Sequence, residues 1–171
     1  TWVFLTVFID FLGLGVLLPV IPFLVERFDQ GAFAVGILGA AFALSQFAAT
    51  PVLGALSDRL GRRPVLIASL VGSAAGYLVL GLAGALWVML VARVIDGVTG
   101  ANVSTAQAAL ADITPAARRS RAFALIGVAM GLGFVLGPLL GGVLAHDVGL
   151  TALVFAAGGL SLAAGMFALL M

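Results

Sequence analysis

The sequence predicts an all-α membrane protein, a bundle of six transmembrane helices, and three observations carry that prediction. The chain is 63% hydrophobic and 9% charged, whereas a soluble domain carries about 25% charged residues. Its 171 residues have a mean hydropathy of +1.29 and divide into apolar runs of the roughly 20 residues that a bilayer crossing needs. The charge lies between those runs: six of the eight arginines are Arg59, Arg62 and Arg63, then Arg118, Arg119 and Arg121.

Composition also removes several functions. There is no lysine, so the chain has no P-loop, whose lysine contacts the transferred phosphates. There is no cysteine, which excludes disulfides and thiolate metal sites. The basic stretches are short inter-helix loops, not the broad aromatic-studded surfaces that bind nucleic acid. No enzymatic activity and no cofactor or metal is expected, and work done by such a chain would draw on an ion gradient.

The spans are predicted at about 2–25, 33–56, 64–83, 86–111, 116–144 and 150–171. The first is too long for a signal peptide and contains Asp10 and two prolines, so it stays in the bilayer. The second ends in Gly54 to Leu66, GALSDRLGRRPVL, whose Asp, Arg and Gly residues must surface. The third and fourth are separated by a few residues near 84–86, the fourth and fifth by the arginine-bearing stretch 112–121. The fifth and sixth are separated by a short loop at 145–149, where His146 is expected in solvent. Lys and Arg are retained on the cytoplasmic side, so the 57–63 and 112–121 loops are expected there, with both termini. The loops near 26–32, 84–86 and 145–149 are expected outside.

An internal repeat divides the six spans into two units of three. Pro51-x-Leu-Gly54 is followed by Leu56, Asp58 and Gly61; Pro138-x-Leu-Gly141 is followed by Leu144, Asp147 and Gly149, with two extra residues before the Asp. Units of three spans have opposite orientations, so the repeat is inverted, as in transporter halves.

Three ionisable residues lie deep in predicted spans: Asp10 in the first, Arg93 and Asp96 in the fourth. Each costs about 2.5–3.5 kcal/mol at a span centre on insertion scales, so each is expected to face a partner or a wet cavity. On one continuous helix Arg93, Asp96, Gly97, Gly100, Ser104 and Gln107 form a stripe about 100° wide, which reads as a cavity wall. Asn102 falls on the opposite side and is expected to make only an interhelical hydrogen bond. Two acids against one arginine leave excess negative charge, and a carboxyl so placed can hold a proton in one facing state and release it in another. Asp10 is the first choice, because Arg93 and Asp96, three apart, can pair with each other. Gln46, Tyr77, Ser104 and Gln107 are the further polar candidates for a substrate cavity.

The fifth span reads GVAMGLGFVLGPLLGGVL. Gly133, Gly137 and Gly141 make a small-residue stripe that lets a neighbouring helix approach closely, Pro138 permits a kink, and Gly142 lies on the other side.

These motifs together resemble the major facilitator superfamily. G-x-L-x-D-R-x-G-R-R is similar to its loop between helices 2 and 3, and G-x-x-x-G-P-x-x-G-G resembles the fifth-helix motif of its drug:proton antiporters. FIDFLGLGVLLPVIPFL, ARVIDGVTGA and DITPAARRSRAF resemble the first helix, fourth helix and following loop of its tetracycline and multidrug efflux group. The resemblance covers the whole chain and implies the N-terminal six-helix half of a proton-coupled exporter in the bacterial inner membrane, working by alternating access. It implies that Asp58, Arg62 and Asp112 form a cytoplasmic charge cluster holding the outward-facing state. It implies that Arg93 and Asp10 handle the proton, with Asp96 added by the charge argument above and not expected in a tetracycline-specific pump, and that Gly133, Gly137, Pro138, Gly141 and Gly142 form the antiporter motif. One departure is Gly76, before Tyr77, where tetracycline pumps usually carry Asp; the drug identity stays open.

Thr1 opens the chain without an initiator and Met171 closes it inside an apolar run. A segment of a longer transporter is therefore expected, partnered by a C-terminal six-helix half or by a second copy, with the bilayer, protons and a small-molecule drug as its other partners. A proton-coupled symporter or uniporter for sugars or other metabolites shares the loop motif but normally lacks the fifth-helix motif. A half-length interaction protein that moves nothing would have no use for intramembrane charges.

Overall fold

In a computed structural model, which describes residues 2–29, 31–100 and 102–169, the chain forms six helices long and apolar enough to cross a membrane. There is no strand among the described residues. Within hydrocarbon each backbone N–H and C=O must be bonded internally, which leaves the helix as the spanning form for such runs.

The first span is α1 (Trp2–Leu17) and α2 (Val20–Glu26), and the second is α3 (Ala32–Leu60). The third is α4 (Arg62–Gly81), and the fourth is α5 (Leu86–Thr99) with α6 (Asn102–Ile113). A 3₁₀ turn at Ala116–Arg118 leads into the fifth, α7 (Arg119–Val148), and the sixth is α8 (Leu150–Ala168). Two predicted spans are thus interrupted. Pro19 and Pro22 lack the N–H groups that would bond Gly15 and Leu18, and the helix restarts at Val20. In the fourth, the Gly100 N–H turns to the Gly97 carbonyl, an i−3 bond that ends α5.

The loops predicted at 57–63 and 145–149 shrink to one residue each. α3 runs through Asp58 to Leu60, and only Gly61 separates it from α4; α7 runs to Val148, and only Gly149 separates it from α8. His146, expected in a loop, lies within α7; its side chain is outside the described residues. The two glycines share one backbone conformation, φ 97° ψ 156° and φ 80° ψ 155°, a region open essentially to glycine alone. They are equivalent positions of the sequence repeat.

Packing follows the same inverted repeat. α1 packs on α7 and α8, as α5 packs on α3 and α4, and α4 packs on α8. Each unit's first helix therefore crosses to the other unit's second, and the two third helices pair. Glycine sets the approach. A Cβ on Gly137 would lie 2.5 Å from the Cα of Gly15, and one on Gly97 would lie 2.5 Å from the carbonyl oxygen of Phe42.

Two apolar cores fill the bundle. One gathers Leu17, Val20, Leu38, Leu80, Met89 and Val154; the other gathers Val7, Leu66, Leu70, Ile126 and Ala164. The second core's end is marked by Arg62, bound to Asp112, and by Arg63, which donates to the Leu169 carbonyl. At the opposite end Arg27 donates to the hydroxyl of Thr151 at 3.2 Å. α3 and α7 bury only 11% and 22% of their span windows, against 50% for α4, so they carry the bundle's open faces.

Candidate functional site

Between the two apolar cores lies a polar layer drawn from α1, α4, α5, α6 and α8: Asp10, Ser73, Arg93, Asp96, Asn102 and Ser161. Arg93 and Asp96 are 4% and 2% exposed and pair at 2.5 Å, Nη2 to Oδ2. The spacing of three on α5 makes the pair possible. Two rings complete the surroundings of the guanidinium, with the Phe42 centroid 5.2 Å and the Tyr77 centroid 6.0 Å from its Cζ, close enough for cation–π attraction. An arginine so enclosed is held by its acid and by ring faces instead of water.

Asp10 has a different partner. The amide Nδ2 of Asn102 donates to its Oδ2 at 3.0 Å. Asp10 and Asp96 then line one cleft together with Gln46, Ser73, Tyr77 and Asn102. Gln46 reaches across from α3 and donates to the Gly100 carbonyl at 2.6 Å, tying the end of α5 to the second span. The cleft measures about 40 Å³. That holds a water or two, while a drug-sized ligand needs roughly 300–1,000 Å³. As it stands, the cleft suits a proton and its water, and a drug needs a second wall or a wider opening.

Ser104 and Gln107 do not reach the cleft; both are exposed on α6. Their predicted stripe assumed one continuous helix. The buried positions of α6 are Asn102, Thr105, Ala106 and Ala109, and on an ideal helix Asn102 stands about 180° from Arg93. The fourth span buries opposite faces before and after Gly100: α5 packs on α3 and α4, and α6 packs chiefly on α4 while also meeting α1, α3 and α7. Asn102 and Ser73 are polar cleft residues that the sequence reading did not select for the cavity. For Asn102 it expected an interhelical hydrogen bond, and the bond to Asp10 is one.

Gly76 is also placed by the structure. A Cβ there would lie 3.0 Å from the Cβ of Asp96 and 3.1 Å from its N. The absence of a side chain at 76 is what lets the backbone of α5 carry Asp96 against α4.

At the arginine-bearing end, Asp58, Arg62 and Asp112 do come together. Arg62 bonds Asp58 through Nη1 at 2.5 Å and Asp112 through Nε at 3.0 Å, and Nη1 also donates to the Ser57 hydroxyl at 2.7 Å. One guanidinium thereby joins α3, α4 and α6. The cluster is partly exposed, with the Asp58 and Asp112 side chains at 62% and 58%. Water competes for it, which weakens each contact.

The glycine motif divides by face. Cβ atoms on Gly133, Gly137 and Gly141 would meet Phe11, Gly15 and Val16 of α1 at 2.8 Å or less, whereas nothing lies within 4 Å of one on Gly142. Pro138 sits within α7, its ring 3.2 Å from a Cβ built on Gly15. The stripe is the seat of the acid-bearing helix.

A family model described as Major Facilitator Superfamily matches residues 3–171. The chain belongs to the major facilitator superfamily. It is an integral membrane protein of that family, and tetracycline resistance proteins are well represented among its relatives. It is 44% identical over 142 residues to the class C tetracycline resistance protein of Escherichia coli, covering 81% of this chain and 36% of that protein. It is 38% identical over 152 residues to the class H protein of Pasteurella multocida, covering 87% and 38%. Among solved structures, the human organic anion transporter MFSD10 (TETRAN) superposes with a TM-score of 0.85 at 31% identity, over 98% of this chain and 45% of that one. The chain thus spans about two-fifths of the length of the curated relatives it matches.

Proposed function

We propose that this chain is the proton-handling six-helix half of a drug:proton antiporter in a bacterial inner membrane, both termini cytoplasmic. The observation that carries the reading is the polar layer: Asp10 and Asp96 share one cleft, and the only guanidinium in the layer is committed to Asp96. One carboxyl is left over. Held by a neutral amide and not by a cation, Asp10 can be neutralised by a proton, and that proton is what a coupled transporter exchanges. The tetracycline resistance relatives support the drug class.

The second wall of the drug site comes from a partner six-helix half meeting the open faces of α3 and α7, the substrate lying between halves that rock about it. A proton moving inward gains about 2.3 kcal/mol per 100 mV, which drives the drug out. The Arg62 cluster holds the arginine-bearing end closed in the outward-facing state. Because the cleft carries net negative charge, cationic or zwitterionic amphipaths suit it better than the organic anions named for the human structure.

The test uses the intact protein that carries this chain, in inside-out vesicles energised by a proton gradient. Uptake of tetracycline or a cationic dye should collapse with protonophore and with Asp10→Asn, with the variant still folded and inserted. Uptake indifferent to both would remove the antiport reading. An organic anion that outcompetes the dye would redirect the substrate class.

A further inference from the structure

Three buried hydroxyls stand one helical turn away from the cleft. Thr6 lies four residues before Asp10 on α1, Ser69 four before Ser73 on α4, and Thr105 three after Asn102 on α6. α1 and α4 run away from the arginine-bearing end and α6 runs toward it. Minus four on the first two helices and plus three on the third are therefore one displacement, roughly 5 Å toward that end on the cleft-facing side of each helix.

All three are 1–2% exposed, and none of their Oγ atoms has a hydrogen-bond partner; nor has the Oδ1 of the 7%-exposed Asn102. Hydroxyls on the neighbouring helices α3, α5 and α8 do find carbonyls: Thr50 bonds that of Gln46 at 2.6 Å, Thr99 that of Ile95 at 2.9 Å and Ser161 that of Leu70 at 2.9 Å. Each buried group left unmade costs about 1–3 kcal/mol, so four of them approach the 5–15 kcal/mol by which a whole domain is stable. Something must satisfy them. It must be small, and it must both donate to an amide oxygen and exchange bonds with hydroxyls. Water does this, given two to four polar partners.

We propose that Thr6, Ser69, Thr105 and the amide oxygen of Asn102 hold a short file of water that carries the Asp10 proton toward the cytoplasmic end, below the substrate cleft. The Asp10 O–H gives its proton to the first water, which passes one of its own to the next water or hydroxyl. A hydronium leaves at the far end, and Asp10 remains a carboxylate held by the Asn102 N–H. Asp96 and Arg93, the other charges of the layer, stay paired with each other throughout. One turn further on, Val65 and Ala109, 3% and 7% exposed, close the file. Asp112 lies seven residues beyond Thr105 on α6, about 10 Å, and is clasped by Arg62. Breaking that clasp frees the end of α6 and lets the file reach bulk water, so proton release is timed by the conformational cluster.

The inference rests on the proton-coupled reading of Asp10, but its first readout needs no transport. In the intact protein in nanodiscs, the C=O stretch of protonated Asp10, assigned by its loss in Asp10→Asn, gives a hydrogen–deuterium exchange rate by infrared difference spectroscopy. Thr6→Val with Thr105→Val should slow that exchange at least tenfold and leave tetracycline affinity within twofold, and Thr105→Ser should retain the wild-type rate. Ser69→Ala, which removes a single oxygen, should slow it severalfold and serves if the double variant does not fold. Wild-type exchange in the valine and alanine variants would overturn the proposal. So would an exchange rate that responds to sodium, which would reassign the hydroxyls to a cation site. If the exchange slows as expected but the wild type shows no proton-driven uptake, the antiport reading fails and the water file stands.

Discussion

Asn102 donates to Asp10 at 3.0 Å across 92 residues of sequence, joining the first span to the second half of the fourth. That bond gives the unpaired acid a neutral partner, so the acid can change charge without breaking an ion pair. A hydrogen bond to a charged group contributes about 1.5–3 kcal/mol. A double-mutant cycle of Asn102→Leu and Asp10→Asn, read by denaturant unfolding in detergent, should give a coupling energy in that range. A coupling near zero would show that the two side chains do not act together.

The buried pair should behave non-additively. Arg93→Met leaves Asp96 charged and alone, which should cost about 3–5 kcal/mol. Adding Asp96→Asn removes the stranded charge and should recover most of that loss. Additive losses would mean that the two residues are stabilised separately.

Glycines 137 and 142 offer an internal control. Gly137→Ala forces a Cβ to 2.5 Å from the Cα of Gly15 and should destabilise by about 1–3 kcal/mol, as overpacking does. Gly142→Ala meets nothing within 4 Å and should stay within about 0.5 kcal/mol of wild type. Equal effects at both sites would mean that α1 does not seat on this stripe.

Arg62 is the only residue that bonds both Asp58 and Asp112 among the described residues, so Arg62→Ala should release α3 from α6. The chain has no cysteine, which makes paired spin labels at Leu60 and Ile113, both exposed, free of background. Arg62→Ala should add a population at longer label separation, and high salt should do the same to wild type, since partly exposed charges are screened. An unchanged distance distribution would mean that the cluster is not a latch.

Gly61→Ala and Gly149→Ala should each be disruptive despite open surroundings. A Cβ on Gly149 meets nothing within 4 Å and one on Gly61 only the Pro64 ring at 3.8 Å, but φ 97° and φ 80° are backbone conformations that cost a side-chain-bearing residue about 1–3 kcal/mol. Thermal unfolding should rank both well above Gly142→Ala, and equal midpoints would show that one-residue turns are not needed there.

Much of the fold was legible in the chain because its rules are local. Apolar length defines spans, arginines mark one end, and Pro51 to Gly61 against Pro138 to Gly149 exposes the repeat. The pair of Arg93 and Asp96 was legible for the same reason, since three residues on a helix bring side chains together. Ser104 and Gln107 stand apart from the Asp10–Asp96 cleft, exposed on α6, because a stripe drawn through the fourth span assumes that the span buries one face throughout. Asn102 was left out of the cavity by the same assumption, although its interhelical hydrogen bond was expected and is present.

The sequence by itself determined six membrane helices, their inverted pairing, the charged end and the presence of one carboxyl more than its guanidinium can neutralise. These follow from composition and from spacing within single helices. Only the tertiary structure decided what the left-over acid faces. Asp10 meets the amide of Asn102 because Gly100 ends one helix and Gly15 lets α7 seat against α1. Contacts between helices depend on how several glycine-set approaches combine, and no single stretch of sequence carries that information.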